Sequence, residues 1–474
     1  MGSSPPPHIV IFPFMAYGHI IPLLDLSKAL THRNIKVTFI TTPGNASFIH
    51  KRISKHHPQI HLTEIPFPIT QNLPKGCENT AQLPSMAFYF HFLEATKQLQ
   101  EPFHQLLQNM SQSNDLPICV ISDFFLGWTL PICSEFSVPR LVCHGMGVFA
   151  LAMSKTVWVH TPQLHVSSDS EPLNLPGFQL NFTMTRSDVP EMFLTPDPDN
   201  PLSRLTSEAG QYEMASWGVI VNSFMELEGP YVPTFESFFV NGAKSWCVGP
   251  LILYDPPAEP VQPENGMCEK WLDEHAMPES VIYVAFGTQA DLSDAQLDEV
   301  AFGLEMSGHP FIWAVRSNTW CTPNGLEERV KYRGLIVREW VDQRQILAHG
   351  STAGFLSHCG WNSVLESISE GVPVLAWPMI ADQFFNAKFY VDGLGAGLSI
   401  GKVGPEGVVG RETISEGVRE LMGGKKGKTA REKVKELSRV ARKSVQEGGS
   451  SYENLSRLLD QLEASSLTNG LGPH

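Results

Sequence analysis

Short β-branched apolar runs alternate with helix-length segments on both sides of a Pro-rich break, and this alternation limits the fold more than any other feature. Residues 8–14 (HIVIFPF) have the length of a strand, and residues 20–31 after them have helical periodicity. Residues 35–42 (IKVTFITT) form a second β-branched run, and the pattern continues through 118–124 and 140–144. Residues 254–265 (YDPPAEPVQPEN) show no periodicity and read as a linker. Beyond them, 281–288 (VIYVAFGT), a helix around 294–306 and a strand at 310–316 restart the alternation. Such a pattern makes an α/β fold with doubly wound parallel sheets. The expected division is a first domain at 1–251, a linker at 252–266, a second domain at 267–448, and a terminal helix at 449–474. Loops beyond the carboxyl ends of parallel strands carry function. His19 follows the first strand, and Asp123 ends the run ICVISDF.

Composition removes several classes of function. The formal charge is −15, which disfavours nucleic acid and anionic membrane as partners. The basic run at 425–442 is interrupted by Glu432 and Glu436 and reads as a solvated helix face. The eight Cys are scattered without a CxxC pair, a poor framework for disulfides or zinc and a fit to a reducing compartment. No cationic-then-apolar leader opens the chain, and no apolar segment approaches the roughly 20 residues that span a bilayer. A cytoplasmic monomer without membrane insertion is expected.

Residues 340–383 hold the densest set of chemistry-bearing side chains. Their centre reads as a strand (353–357), a tight turn (358–361) and a helix (362–370). Asn362 and Ser363 are expected to cap that helix through their side chains. The helix start offers backbone N–H groups and the positive end of the dipole to a phosphate. Glu366, one turn in, can accept from a sugar hydroxyl, and Trp340 offers a flat ring to a base. These are the parts of a nucleotide-diphosphate-sugar pocket.

The stretch also resembles the C-terminal signature box of the plant family-1 UDP-dependent glycosyltransferases. It matches at Trp340, Gln343, His358, Gly360, Trp361, Asn362, Ser363, Glu366, Pro373, Asp382 and Gln383. The resemblance covers nearly the whole chain and implies the GT-B architecture, two Rossmann-like domains facing across a cleft. It also implies that Trp340 stacks on uracil, with contacts from the Val341 backbone, and that Gln343 and Glu366 hold ribose hydroxyls. His358, the 362–363 helix start and Thr288 would meet the diphosphate. The family often has Ser-Phe-Gly-Ser where this chain has Ala285-Phe286-Gly287-Thr288. Trp361, Asp382 and Gln383 would hold the sugar, and a terminal Gln goes with glucose in this family. No cofactor or metal is required by the arrangement.

A transferase of this kind must activate an acceptor hydroxyl, and an imidazole with a pKa near 6.5 suits that task at neutral pH. His19 is the candidate base, with Asp123 on its other nitrogen. The resemblance pairs the two through Gly18-His19-x-x-Pro22 and Ser122-Asp123. For the acceptor, Phe88 and Phe92 lie in an aromatic segment read as one helix over 84–103. Both core packing and a pocket wall fit them. Phe124 and His144, at strand ends, complete the candidate pocket. Asp197-Pro198-Asp199 mimics a metal motif, but a Pro-rich loop without partner ligands argues against a metal there.

The expected activity is inverting transfer of glucose from UDP-glucose to a flavonoid or other phenolic. C-glucosylation of a phenolic ring would use the same base and donor site. A binding protein without turnover would need neither His19 nor Asp123. A sugar-nucleotide epimerase shares the two-domain fold but has no use for an aromatic acceptor wall. A nicotinamide dehydrogenase lacks its Gly-x-Gly-x-x-Gly turn here, because residues 13–18 hold a single Gly.

Overall fold

The computed structural model describes residues 6–53, 57–194, 197, 199–239, 241–255, 266–275, 277–287, 292–317, 319–401 and 407–469. They form two compact units. The first comprises 1–155, 195–255 and 444–474, and the second 156–194 and 256–443.

The first unit is built on seven parallel strands: β1 (His8–Phe12), β2 (Lys36–Thr41), β3 (Ile60–Glu64), β4 (Cys119–Asp123), β5 (Arg140–Cys143), β6 (Gly218–Val221) and β7 (Lys244–Cys247). Their order is β3-β2-β1-β4-β5-β6-β7, so the chain reverses direction across the sheet between β1 and β4. Successive side chains on a strand point to opposite faces, and β1 shows the consequence. Ile9 and Ile11 join one core while Val10 and Phe12 join the other. A strand buried on both faces reads as a continuous apolar run, which is how residues 8–12 read.

The terminal helix Ser450–Asn469 belongs to this unit. Leu455, Leu458, Leu459 and Leu462 enter the same core as Ile9, at the spacing that lines one helix face. Asn454 Nδ2 also donates to the Cys247 carbonyl at the end of β7, at 3.0 Å.

The second unit has six parallel strands: β8 (Val281–Ala285), β9 (Phe311–Ala314), β10 (Gly334–Val337), β11 (Thr352–Ser357), β12 (Val374–Ala376) and β13 (Gly397–Ser399). Their order is β10-β9-β8-β11-β12-β13, with the reversal between β8 and β11. Helices Asp294–Ser307 and Arg411–Gly423 cover one face, burying Leu297, Leu304, Ile414 and Leu421 on Ile282 and Val284.

Two expectations need correction, and a third falls mostly outside the described residues. The first domain is not continuous over 1–251, because 156–194 packs with the second unit. Within that segment Lys388 Nζ reaches Asp188 Oδ2 at 3.3 Å, and Phe193 stacks on Phe385 with ring centroids 6.2 Å apart. The single helix over 84–103 is instead a 3-10 turn (Met86–Phe88), a helix (Tyr89–Thr96), a second 3-10 turn (Lys97–Leu99) and a further helix (Gln100–Gln112). The expected linker begins in the 3-10 turn Leu251–Leu253, and its 256–265 part lies outside the described residues. No described helix is long and apolar enough to cross a membrane.

Candidate active site

In doubly wound sheets the productive crevice opens where the strand order reverses. His19 and Asp123 occupy that place in the first sheet. Helix Tyr17–Thr31 starts directly after β1 and carries His19 in its first turn. Asp123 is the last residue of β4, the strand beside β1. Although 104 positions apart, His19 Nδ1 and Asp123 Oδ2 are joined by a 2.6 Å hydrogen bond. Asp123 is buried, and its Oδ1 accepts from the Phe125 N–H at 3.0 Å. Both carboxylate oxygens thus face donors, and the aspartate has one orientation.

Below it, the wholly buried Arg140 donates from its guanidinium to Ser122 Oγ (2.7 Å), Thr129 Oγ1 (2.9 Å), Ser216 Oγ (2.8 Å) and the Asp123 carbonyl (3.1 Å). Burial pulls the Arg140 pKa down to about 10. It remains a cation at neutral pH, a fixed positive charge beneath the dyad.

The His19 ring stands among aromatic rings that sequence reasoning did not single out. Phe14 meets it edge-on at 5.5 Å and Phe125 lies at 5.9 Å, while Tyr89 packs edge-on against both of those rings. Their signal was weak because each reads as an ordinary core residue in the sequence. The other edge of the imidazole faces Gly145. A methyl group there would lie 3.4 Å from Cε1 and 3.6 Å from Nε2.

The acceptor candidates divide. Phe92 is fully buried, stacked on Phe67 at 5.1 Å and edge-on to Phe14 at 5.7 Å, so it is core and not a pocket wall. Phe88 ends the 3-10 turn ahead of the helix and is half-buried. Phe124 keeps partial exposure and lies over His144, with ring centroids 4.6 Å apart.

His144 is buried and already committed. Its Nε2 pairs with Glu213 Oε1 at 2.8 Å, and Lys155 Nζ holds Glu213 Oε2 at 2.6 Å. Burial pushes the Glu213 carboxyl up, but His144 and Lys155 outweigh it and hold the pKa at about 2. His144 can offer a ligand little beyond its ring face. Glu213, on helix Pro201–Ala215, gave no sequence signal, since a lone Glu in a polar helix looks solvent-facing.

The second sheet builds its reversal point differently. Strand β11 ends at Ser357, His358 to Gly360 make the turn, and the helix runs from Trp361 to Glu370. The residue capping this helix is Gly360, without a side-chain cap, so the expected capping by Asn362 and Ser363 does not occur. They stand as the second and third helical residues, and no side chain at the cap position covers the first N–H groups. Trp361 is buried, so its ring is packed away.

His358 is wedged between two glycines. A methyl group at Gly287 or at Gly360 would sit 2.6 Å from His358 Nε2, inside any tolerable contact. Gly287 also has φ +77°, a conformation that disfavours a side chain. Burial drives the His358 pKa down to about 4, so the ring is neutral at pH 7. Its Nδ1 is buried without a hydrogen-bond partner among the described residues. Cys359 adopts φ +61° in the same turn, backbone strain at a tight corner.

Around this turn, Trp340 keeps 37% of its surface exposed, and Val341 follows half-buried. Gln343 Nε2 donates to Ser363 Oγ at 2.8 Å and to Glu366, tying three of the candidate residues into one network. Gln383 Oε1 accepts from the Met379 and Ile380 N–H groups at 2.9 and 3.0 Å, which fixes the orientation of its amide. Asp382 Oδ2 accepts from Asn386 Nδ2 at 2.7 Å. Thr288 lies outside the described residues, as does Pro198; Asp197 Oδ1 accepts from the Asp199 N–H at 2.9 Å, a local turn.

The profile of the glycosyltransferase N-terminal domain matches residues 8–253, and that of the UDP-glucoronosyl and UDP-glucosyl transferases matches 258–443. The chain is 38% identical to scopoletin glucosyltransferase of Nicotiana tabacum, over 97% of this chain and 99% of that one. The structure of UGT73P12 from Glycyrrhiza uralensis, complexed with glycyrrhetinic acid 3-O-monoglucuronide, is similar with a TM-score of 0.88 and 32% identity, covering 98% of this chain and 97% of that one. UGT2 of Phytolacca americana, complexed with UDP-2fluoro-glucose and pterostilbene, is similar with a TM-score of 0.78 and 30% identity, covering 96% of this chain and all of that one. The fold is GT-B, and the chain belongs to the UDP-glucoronosyl and UDP-glucosyl transferase family as a plant-type UDP-dependent glycosyltransferase.

Proposed function

We propose that this glycosyltransferase moves glucose from UDP-glucose to a hydroxyl of a small aromatic acceptor, a flavonoid or other phenolic, with inversion at the anomeric carbon. The observation that carries the reading is the 2.6 Å bond between His19 Nδ1 and Asp123 Oδ2. An aspartate accepting on both oxygens favours the ring tautomer with its proton on Nδ1, which leaves Nε2 basic. Nε2 takes the acceptor's hydroxyl proton while the oxygen attacks the anomeric carbon. The bond from that carbon to the diphosphate breaks, and the electron pair leaves with UDP. Asp123 stabilises the imidazolium as it forms.

The charge that develops on the diphosphate is met by the helix start at 361–363, aided by Thr288 by analogy. His358, neutral at pH 7, acts as a hydrogen-bonding and packing group rather than as a cation. Trp340 stacks on the base, the Gln343–Glu366 pair meets the ribose, and Asp382 with the Gln383 amide meets the sugar. No step is assigned to a metal ion. The named acceptors of the relatives, scopoletin and pterostilbene, support a phenolic, whereas glycyrrhetinic acid is a different class.

The test is a mass-spectrometric acceptor screen with UDP-glucose beside His19→Ala, with products treated in dilute acid. A single-hexose gain on phenolics, released by acid and much weaker in the variant, is expected. Acid-resistant adducts would reassign the chain to C-glucosylation. Turnover confined to terpenoids would overturn the acceptor class, and full activity in His19→Ala would remove the base.

A further inference from the structure

At the opposite end of helix Tyr17–Thr31 from His19, three metal-ligand side chains converge from separate parts of the first unit. His32 follows the helix, His57 precedes β3, and Asp255 lies after the last 3-10 turn. One ligand atom from each falls within 4.8 Å of the others, the only such group among the described residues.

The hydrogen bonds fix how His57 presents itself. Its Nδ1 lies 3.0 Å from Thr31 Oγ1, and that hydroxyl donates its proton to the Lys28 carbonyl at 2.8 Å. Thr31 can therefore only accept from His57, so Nδ1 carries the ring proton and Nε2 the lone pair. The lone pair faces Asp255 Oδ2 across 3.6 Å, too far for a hydrogen bond. The unprotonated ring nitrogen of this tautomer thus opposes a carboxylate.

This is the preparation a metal ligand needs: an imidazole held from behind by its other N–H, with the donor nitrogen aimed forward. Two donors of a tetrahedral zinc site, with bonds of about 2.0–2.1 Å, stand about 3.4 Å apart, close to the separation here. The His32 ring lies edge-on to His57 at 5.3 Å and is exposed, which gives an ion a way in. Lys28 Nζ now sits on Asp255 Oδ2 at 3.0 Å, so the carboxylate already neutralises a cation. A divalent ion would take over that charge, and the lysine would turn to solvent.

We propose that His32, His57 and Asp255 form a site for a divalent transition-metal ion of the zinc type, completed by water, with Thr31 as the residue that positions His57. Two imidazoles and one carboxylate are a donor set for such borderline ions rather than for calcium or magnesium. The ion would clamp the end of the His19-bearing helix to the entry of β3.

The test uses the untagged full chain, stripped by a chelator and then titrated with Zn2+ by calorimetry and with Co2+ by visible absorption. One ion per chain is expected, with a four-coordinate Co2+ spectrum and a Tm that rises with free Zn2+. His32→Gln and Asp255→Asn, at positions that are not buried, should each weaken binding by at least about tenfold. Thr31→Val should weaken it by about 10- to 100-fold, as loss of an orienting partner does. His165→Gln, an exposed histidine elsewhere, should change nothing. Failure to bind one equivalent, or binding unchanged in His32→Gln and Asp255→Asn, would overturn the site. Unchanged binding in Thr31→Val alone would remove Thr31 from it.

Discussion

At the reversal point of the first sheet the distinctive feature is a pair of ionisable side chains, and at that of the second it is a tight backbone turn into a glycine-capped helix. His19 and Asp123 are two ionisable groups locked together above a buried Arg140 and walled by Phe14 and Phe125. The turn from His358 to Gly360 instead shows a glycine cap, a left-handed Cys359 and a neutral imidazole wedged between Gly287 and Gly360. The same topology therefore serves two purposes. A hydrogen-bonded imidazole–carboxylate pair suits proton transfer, and a helix start suits a diphosphate, whose charge N–H groups can meet.

The largest test of this contrast is His19→Ala, which should lower turnover by about 10²- to 10⁴-fold, the usual worth of a general base. UDP-glucose affinity, read by calorimetry, should stay unchanged, and a donor Kd that moved with the base would erase the distinction.

Acid separates the two points next. His358 is neutral when folded, with a pKa of about 4 against 6.5 for an ordinary histidine. The unfolded chain takes up that proton first, so stability present above pH 6.5 is lost as pH falls towards 4, by at most about 3 kcal/mol. Glu213, held at about 2, has the other window. Its contribution is present above its ordinary 4.5 and disappears as pH falls from there towards 2. Urea denaturation across this range should show the upper loss vanish in His358→Gln and persist in Glu213→Gln. The reverse assignment would refute the picture of both sites.

Gly360→Ala should cost about 1–3 kcal/mol, because the added methyl runs into the His358 ring. It should weaken UDP-glucose binding while a phenolic's affinity holds, as separate titrations would reveal. Least costly, Phe92→Leu should lower stability by about 1–2 kcal/mol, because the smaller side chain leaves space behind and loses the ring contacts to Phe67 and Phe14. Its acceptor preference should match the parent protein, and a changed acceptor profile would return Phe92 to the pocket wall.

The second reversal point was legible as a motif because its geometry is local. A strand end, a glycine-dependent turn and a helix start follow one another in the chain, and each demands a residue type at a fixed offset. Even so, the expectation placed the cap on Asn362 and Ser363, whereas the chain turns into the helix one residue earlier, at Gly360. At the first reversal point the residues alone showed two separate strand ends, since no spacing relates positions 104 apart, and the pairing of His19 with Asp123 rested on the family resemblance.

By itself the sequence determined the α/β alternation, the parallel strands, the strand–turn–helix around residues 353–370 and the residue types able to transfer a proton. These follow from backbone period and local steric demand, which act over a few residues. Only the tertiary structure decided that β4 lies beside β1, which brings Asp123 to His19, and that Phe92 is core while Phe125 faces the His19 ring. It also decided that His144 is spent on Glu213 and that 156–194 packs with the second unit. Each of these turns on which distant surface a side chain is buried against, a many-body packing outcome that no local pattern encodes.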